Sequence, residues 1–293
     1  MKILKADPIG MCFGVRRAIE TLEKALSGGK TVYAIGSPIH NPQEVERLRA
    51  KGLLVVENEE TVPEGAVAFI RAHGVAPAVI ERLERKGATV IDGTCPFVRV
   101  VQTRARELSD AGYHVLILGD EKHPEVAGIL GYVRGSATVI SSVSAFLNST
   151  IIQKSGRIPK LGLVSQTTQQ HRLLAEVAQA AVGRADELRV FNTICHATRE
   201  RQQAVAELAA KTEGLIVIGG HDSANTAKLC RIARDSGCPA QRIEHAGELD
   251  ETWLNGKKSI GVAAGASTPD WLIDQSIRAI EEIAGRQGDV SNE

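Results

Sequence analysis

Short apolar runs alternate with helix-period segments through almost all of this 293-residue chain, and few patterns restrict a fold more tightly. Parallel strands need a crossover, usually a helix, to bring the chain back. The alternation therefore predicts an α/β architecture with mainly parallel sheets. Nine major strand–loop–helix units can be traced. They begin with KILKADPIGMCFGVRRAIETLEKAL, where Val15, Ile19, Leu22 and Leu26 recur at helical spacing, and end with KSIGVAAGASTPDWLIDQSIRAIEEIAG. In most units the loop is polar and the helix start carries Pro, Ser, Thr or Asn, the residues that cap or dispense with first-turn N–H groups.

Three weaker segments, LLVVENEETVPEG, TVISSVSAFLNST and QRIEHAGELDETWLNG, interrupt the series. Each reads as a short strand followed by a polar or acidic turn or helix, and together they mark an internal repeat. One set of units holds His40, an inserted strand, His73 and Cys95. The next holds His123, an inserted strand, Thr167 and Cys195. The last holds Ser223 with Asn225, an inserted strand, Ser267 and, with the N-terminus returning to it, Cys12. The expected fold is three similar α/β domains in a pseudo-threefold trefoil, spanning 13–95, 96–195, and 196–284 plus 1–12. A polar tail is expected over 285–293.

In VIDGTCPFV, Cys95 follows a strand-like run and precedes a helix for which Pro96 suits the first position. Open α/β sheets place their chemistry at such strand ends. A single cysteine there reads as a buried small residue. Cys12, Cys95 and Cys195 occupy equivalent places in three repeats, so pseudo-threefold packing would bring their thiols to one central point. No CxxC zinc spacing or ferredoxin-type run is present. Three converging thiolates suit either a Cys₃ zinc site or three corners of an iron–sulfur cluster, and helix N-termini would help offset a cluster's negative charge. Cys230, inside the helix TAKLCRIARDSG, and Cys238, just past it, read as core.

His40, His73 and His123 lie in PIHNP, RAHGV and KHPEV, each just after an apolar run. Each could simply satisfy a helix terminus, but all three belong to the side expected for the cysteines. Thr167, Thr168, Ser223, Asn225 and Ser267 take matching places. Imidazoles, hydroxyls and an amide with several helix N-termini make a good anion site, phosphate above all. Glu125 is the one carboxylate in this ring. It reads equally as a helix-dipole partner and as a proton donor with Thr167 as relay.

Lys+Arg and Asp+Glu are both 35 and aromatics are 3% of residues, so neither an affinity for polyanions nor stacking platforms for nucleic-acid bases are expected. No run approaches the roughly 18 apolar residues of a membrane span, and the N-terminus has no signal-peptide pattern. The protein is expected in the cytoplasm, off membranes and without structural disulfides. There is no GxGxxG fingerprint or other nucleotide-binding motif.

Taken together, GMCFGV, IHNPQEV, RAHGV, DGTCPFV, HPEV, SQTTQ, NTICHAT, SANT and AGASTPD resemble the 4-hydroxy-3-methylbut-2-enyl diphosphate reductase family of the non-mevalonate isoprenoid pathway, from Met1 to about Gly285. The resemblance implies a trefoil around a central [4Fe–4S] cluster. It also implies two-electron, two-proton removal of an allylic hydroxyl, giving isopentenyl and dimethylallyl diphosphates, with a ferredoxin- or flavodoxin-type electron donor. On matching positions, Cys12, Cys95 and Cys195 would ligate the cluster, while His40, His73, His123, Ser223, Asn225 and Ser267 would hold the diphosphate. Glu125 and Thr167 would position the hydroxyl and supply protons. Two positions depart from the commonest pattern. Ala224 replaces a frequent second serine and leaves only its backbone N–H as a donor, and His196 stands where tyrosine is frequent. A quinolinate-synthase-like [4Fe–4S] dehydratase and a non-catalytic iron–sulfur sensor are the rival readings.

Overall fold

Twelve strands correspond to the nine major and three inserted runs of the computed structural model, which describes residues 1–290. They are β1 (Lys2–Lys5), β2 (Val32–Ile35), β3 (Leu53–Val56), β4 (Val67–Ile70), β5 (Thr89–Asp92), β6 (His114–Leu118), β7 (Ala137–Ile140), β8 (Ile158–Ser165), β9 (Ala185–Val190), β10 (Leu215–Ile218), β11 (Ala240–Ile243) and β12 (Ser259–Ala264). Each major strand is followed by a helix: α1 (Phe13–Leu26), α2 (Pro42–Arg49), α3 (Pro77–Arg85), α4 (Pro96–Asp110), α5 (Pro124–Leu130), α6 (His171–Val182), α7 (His196–Ala209), α8 (Ala224–Asp235) and α9 (Asp270–Val290). After the inserted strands β3, β7 and β11 come only short helical segments, among them the 3₁₀ turns Glu59–Thr61 and Ala246–Glu248 and the short helix Val143–Leu147. Asn58, Ser142 and His245 cap these with their side chains, and such local bonds close a turn without a long amphipathic stripe.

The strands form three four-stranded sheets, all parallel, in the orders β3-β2-β4-β5, β7-β6-β8-β9 and β11-β10-β12-β1. The three orders are the same. In each, the inserted strand takes one edge and the strand that leads to a cysteine takes the other. This three-sheet parallel α/β fold is the one expected from the alternation.

Parallel sheets need cover on both faces, and the burial pattern supplies it. In the third sheet, Leu215, Val217 and Ala263 join one core, while Ile216, Ile218, Val262 and Ala264 join the core on the opposite face. In the second, Leu116, Leu118 and Leu163 face one core, and Val115, Ile117 and Val164 the other. The period-2 alternation of each strand thus serves two helical layers.

By contact density the chain divides into two compact units. The smaller comprises Met1–Arg16, Ile39–Arg47 and the chain from Arg199 onward, and holds the β11-β10-β12-β1 sheet. The larger comprises Arg17–Pro38 and Leu48–Thr198 and holds the other two sheets. Helix α9 continues to Val290, so helix occupies most of the stretch expected as a polar tail, while residues 291–293 lie outside the described residues.

Candidate functional site

Within the larger unit, Cys95 and Cys195 sit in matching frames. Cys95 is the N-cap of α4, with Pro96 at its first position, and its N–H donates to the carbonyl of Ala72 at 3.0 Å. Cys195 immediately precedes α7, and its N–H donates to the carbonyl of Thr167, also at 3.0 Å. The loops before them are pinned by short polar side chains. Asp92 Oδ1 accepts the Thr94 N–H at 2.8 Å while its other oxygen binds Arg99 at 2.6 Å, which fastens the turn to the first turn of α4. Thr193 Oγ1 accepts from Ser165 N and donates to Ser165 O. Gly93 has no room for a side chain, since a Cβ there would lie 2.5 Å from Phe69 Cζ and 2.6 Å from the Ile70 carbonyl.

The smaller unit repeats the frame. The N–H of Cys12 donates to the carbonyl of Ala266 at 3.1 Å, and α1 begins at the next residue. Arg201 braces this loop, donating from Nη2 and Nε to the Gly10 carbonyl. All three cysteines are half-buried, whereas Cys230 and Cys238 are fully buried in the core, and none of the five forms a disulfide among the described residues. At Cys195 the sulfur lies 3.3 Å from the Thr198 N–H and 3.0 Å from its hydroxyl.

The acid–base candidates also lie in the larger unit. Glu125 stands in the first turn of α5 and is 2% exposed. Its Oε1 accepts the backbone N–H of Thr167 at 2.6 Å, and its Oε2 accepts the Thr167 hydroxyl at 2.8 Å. No basic side chain is among the causes of its pKa shift. Burial pushes the carboxyl up to about 7, against the two Thr167 hydrogen bonds, which favour the ionised form. His123 caps the same helix, its Nδ1 accepting the Glu125 N–H at 3.1 Å. A neutral ring used this way carries its proton on Nε2 and so presents a donor. The His73 ring stands edge-on to His123, with centroids 5.2 Å apart. Thr168 takes a different partner, accepting from Gln166 Nε2.

In the smaller unit, Ser267 donates from its hydroxyl to the His40 carbonyl at 3.3 Å. The carbonyl also approaches Gly220 so closely that a Cβ there would lie 2.6 Å from it. The loop of His40 and the one leading to Ser223 are thereby held together. Ser223 caps α8, its Oγ accepting the Thr226 N–H. Asn225 is part-buried, and its Nδ2 is enclosed with no acceptor among the described residues. Ala224 exposes its methyl group and stands at the first position of α8. His221 is held by Glu248 at 3.0 Å, with its N–H on Glu244.

Arg71 escaped the sequence reading, although RAHGV contains it. Its guanidinium lies against Gly36, where a Cβ would be 2.6 Å from Nη1. Its Nε is enclosed with no acceptor among the described residues, and burial lowers its pKa. The available signal was a lone cation at the end of an apolar run, two residues before His73.

The LytB protein family matches residues 3–281. The 4-hydroxy-3-methylbut-2-enyl diphosphate reductase of Citrifermentans bemidjiense is 41% identical over 283 residues, which cover 97% of this chain and 98% of the relative. A solved structure of the E-1-hydroxy-2-methyl-but-2-enyl-4-diphosphate reductase from Plasmodium falciparum matches with a TM-score of 0.87 and 26% identity, over 94% of this chain and 87% of that one. A solved (E)-4-hydroxy-3-methyl-but-2-enyl diphosphate reductase, described as the terminal enzyme of the non-mevalonate pathway, matches with a TM-score of 0.71 and 39% identity, over 96% of this chain and 100% of that one. With near full-length matches in sequence and in fold, this chain belongs to the LytB family of reductases.

Proposed function

We propose that this chain is a 4-hydroxy-3-methylbut-2-enyl diphosphate reductase whose [4Fe–4S] cluster is held by Cys12, Cys95 and Cys195. One observation carries the reading. In three sheets of identical strand order, the loop after an edge strand leads to a half-buried cysteine that precedes a helix and donates its N–H to a loop carbonyl. Three soft thiolates without a CxxC pair suit a cluster with one open iron, and the Thr198 N–H at the sulfur of Cys195 is the kind of donor that stabilises a ligating thiolate. When bound, the cluster would relay electrons one at a time from the donor and offer a Lewis-acidic iron for the departing hydroxyl.

The remaining work belongs to the chain. His40, His73, His123, Ser223, Asn225 and Ser267 hold the diphosphate, with the backbone N–H of Ala224 as a further donor. Glu125 with a pKa of about 7 is protonated in a large fraction of molecules at neutral pH. A proton on Oε2 donates to Thr167 Oγ1, whose own hydrogen then turns toward the substrate oxygen. The C–O bond breaks and the hydroxyl leaves as water with one proton. A second proton and the two electrons complete the new C–H bond, giving isopentenyl or dimethylallyl diphosphate.

A ferredoxin- or flavodoxin-type protein supplies the electrons, and the enzyme works in the cytoplasm. Among the described residues, no helix is long and apolar enough to cross a membrane. Its domains comprise 13–95, 96–195, and 196–284 with 1–12.

Anaerobic purification with iron and sulfide analysis, followed by reductant-dependent turnover of the allylic diphosphate, tests the reading. About four irons and four sulfides per chain are expected. Stoichiometric zinc without sulfide overturns it. A quinolinate-synthase-like dehydratase would turn over without reductant, and an iron–sulfur sensor would keep its function in Glu125→Gln.

A further inference from the structure

We infer that a cavity of about 570 Å³ in the smaller unit, between α8 and the edge strand β11, binds a small organic phosphate. Arg231 and Arg234 of α8 and Arg242 of β11 line it, and Asp235 is the one carboxylate in the lining. Its volume falls in the range of sites for small organic ligands and far exceeds what a bare phosphate fills.

The charge in this cavity is not neutralised by the protein. Among the described residues, neither Arg231 nor Arg242 has a carboxylate within ion-pair distance. Arg234 donates from Nε and Nη2 to the Ala240 carbonyl, which fixes its plane and leaves Nη1 for another acceptor. Lys228, on the same helix, has its pKa lowered first by burial and second by Arg231, so the cations crowd one another. His221, at the rim, is taken up by Glu244 and Glu248 and contributes little.

A second feature narrows the ligand. Gln241 Oε1, on β11, is enclosed with no hydrogen-bond donor among the described residues, and Gln241 lines the cavity. A buried amide oxygen left unpaired is costly, so the fitting ligand brings a donor as well as negative charge. The Trp253 side chain gives the cavity an apolar flank. A phosphate ester with a hydroxyl or amino group and a ring or hydrocarbon portion meets all three demands. Arg suits the phosphate because its planar fork can bind two oxygens at once.

Calorimetric titration of the cluster-loaded enzyme with ATP and with inorganic pyrophosphate tests the assignment. Pyrophosphate is expected to show two classes of site. The double variant Arg231→Ala/Arg242→Ala should weaken one class at least roughly tenfold, since each truncation removes a charge-assisted hydrogen bond. The other class and reductive turnover should be unchanged. Gln241→Leu, which keeps both arginines, should weaken ATP and leave inorganic pyrophosphate unaffected. Unchanged binding of both probes in the double variant, with an unaltered melting temperature, overturns the inference. Loss of turnover in His73→Ala bears on the proposed reaction alone, so the two readings fail separately.

Discussion

Glu125 grips Thr167 with both carboxylate oxygens, one on the backbone N–H at 2.6 Å and one on the hydroxyl at 2.8 Å, while the carbonyl of Thr167 accepts the N–H of Cys195. One residue therefore ties a buried acid to the loop of a cysteine. Glu125→Gln keeps an acceptor for the N–H and a polar group for the hydroxyl but has no acidic proton. Turnover should fall roughly 10²- to 10⁴-fold, with iron content unchanged. Single-turnover rates beside iron analysis would decide it, and full activity in the variant would remove Glu125 from the chemistry.

The same carboxyl sets a pH dependence of stability. Its pKa is about 7 in the fold against an ordinary 4.5, so between these values the folded state holds a proton that the unfolded state has released. Stability therefore declines as pH rises through this window. The loss is roughly 3 kcal/mol by pH 8, on the order of 1.4 kcal/mol for each pK unit. Chemical denaturation of wild type and Glu125→Gln from pH 4 to pH 8 should show the slope in the first and its absence in the second. A parallel decline would assign it to other groups.

Turnover should follow the same titration. With Glu125 as proton donor, kcat declines above about pH 7, approaching tenfold for each further pH unit. A profile flat to pH 9 at saturating substrate and reductant would contradict this role.

Cys95→Ser should lose iron while the sheets persist, because the frame around it rests on Asp92, Pro96 and the Ala72 carbonyl, none of which needs the sulfur. Cys230→Ser, placed in the core 4% exposed, should keep its iron and lose stability instead. Iron per chain and far-ultraviolet circular dichroism separate the two effects. Equal iron in both variants would defeat the cluster assignment.

Gly93→Ala inserts a methyl group within 2.6 Å of the Ile70 carbonyl and closer still to the Phe69 ring. Backbone cannot yield as a flexible side chain can, so a destabilisation of about 1–3 kcal/mol is expected, with reduced iron incorporation as the Cys95 loop shifts. Melting temperature and iron content should fall together.

The sequence by itself determined the alternation of strands and helices, the three inserted strands and the three cysteines at strand ends. Each rests on short-range patterns: apolar periodicity, Pro96 at a helix start, Asp92 and Ser223 beside the groups they cap. Only the tertiary structure shows the surroundings of Glu125. Its pKa depends on burial and on Thr167, 42 residues away, and helix-dipole and proton-donor positions look alike in a one-dimensional pattern. Arg71 against Gly36 and the arginines between α8 and β11 were hidden for the same reason. A cation's significance lies in which counter-charges the fold places near it, and that is settled only when distant segments pack.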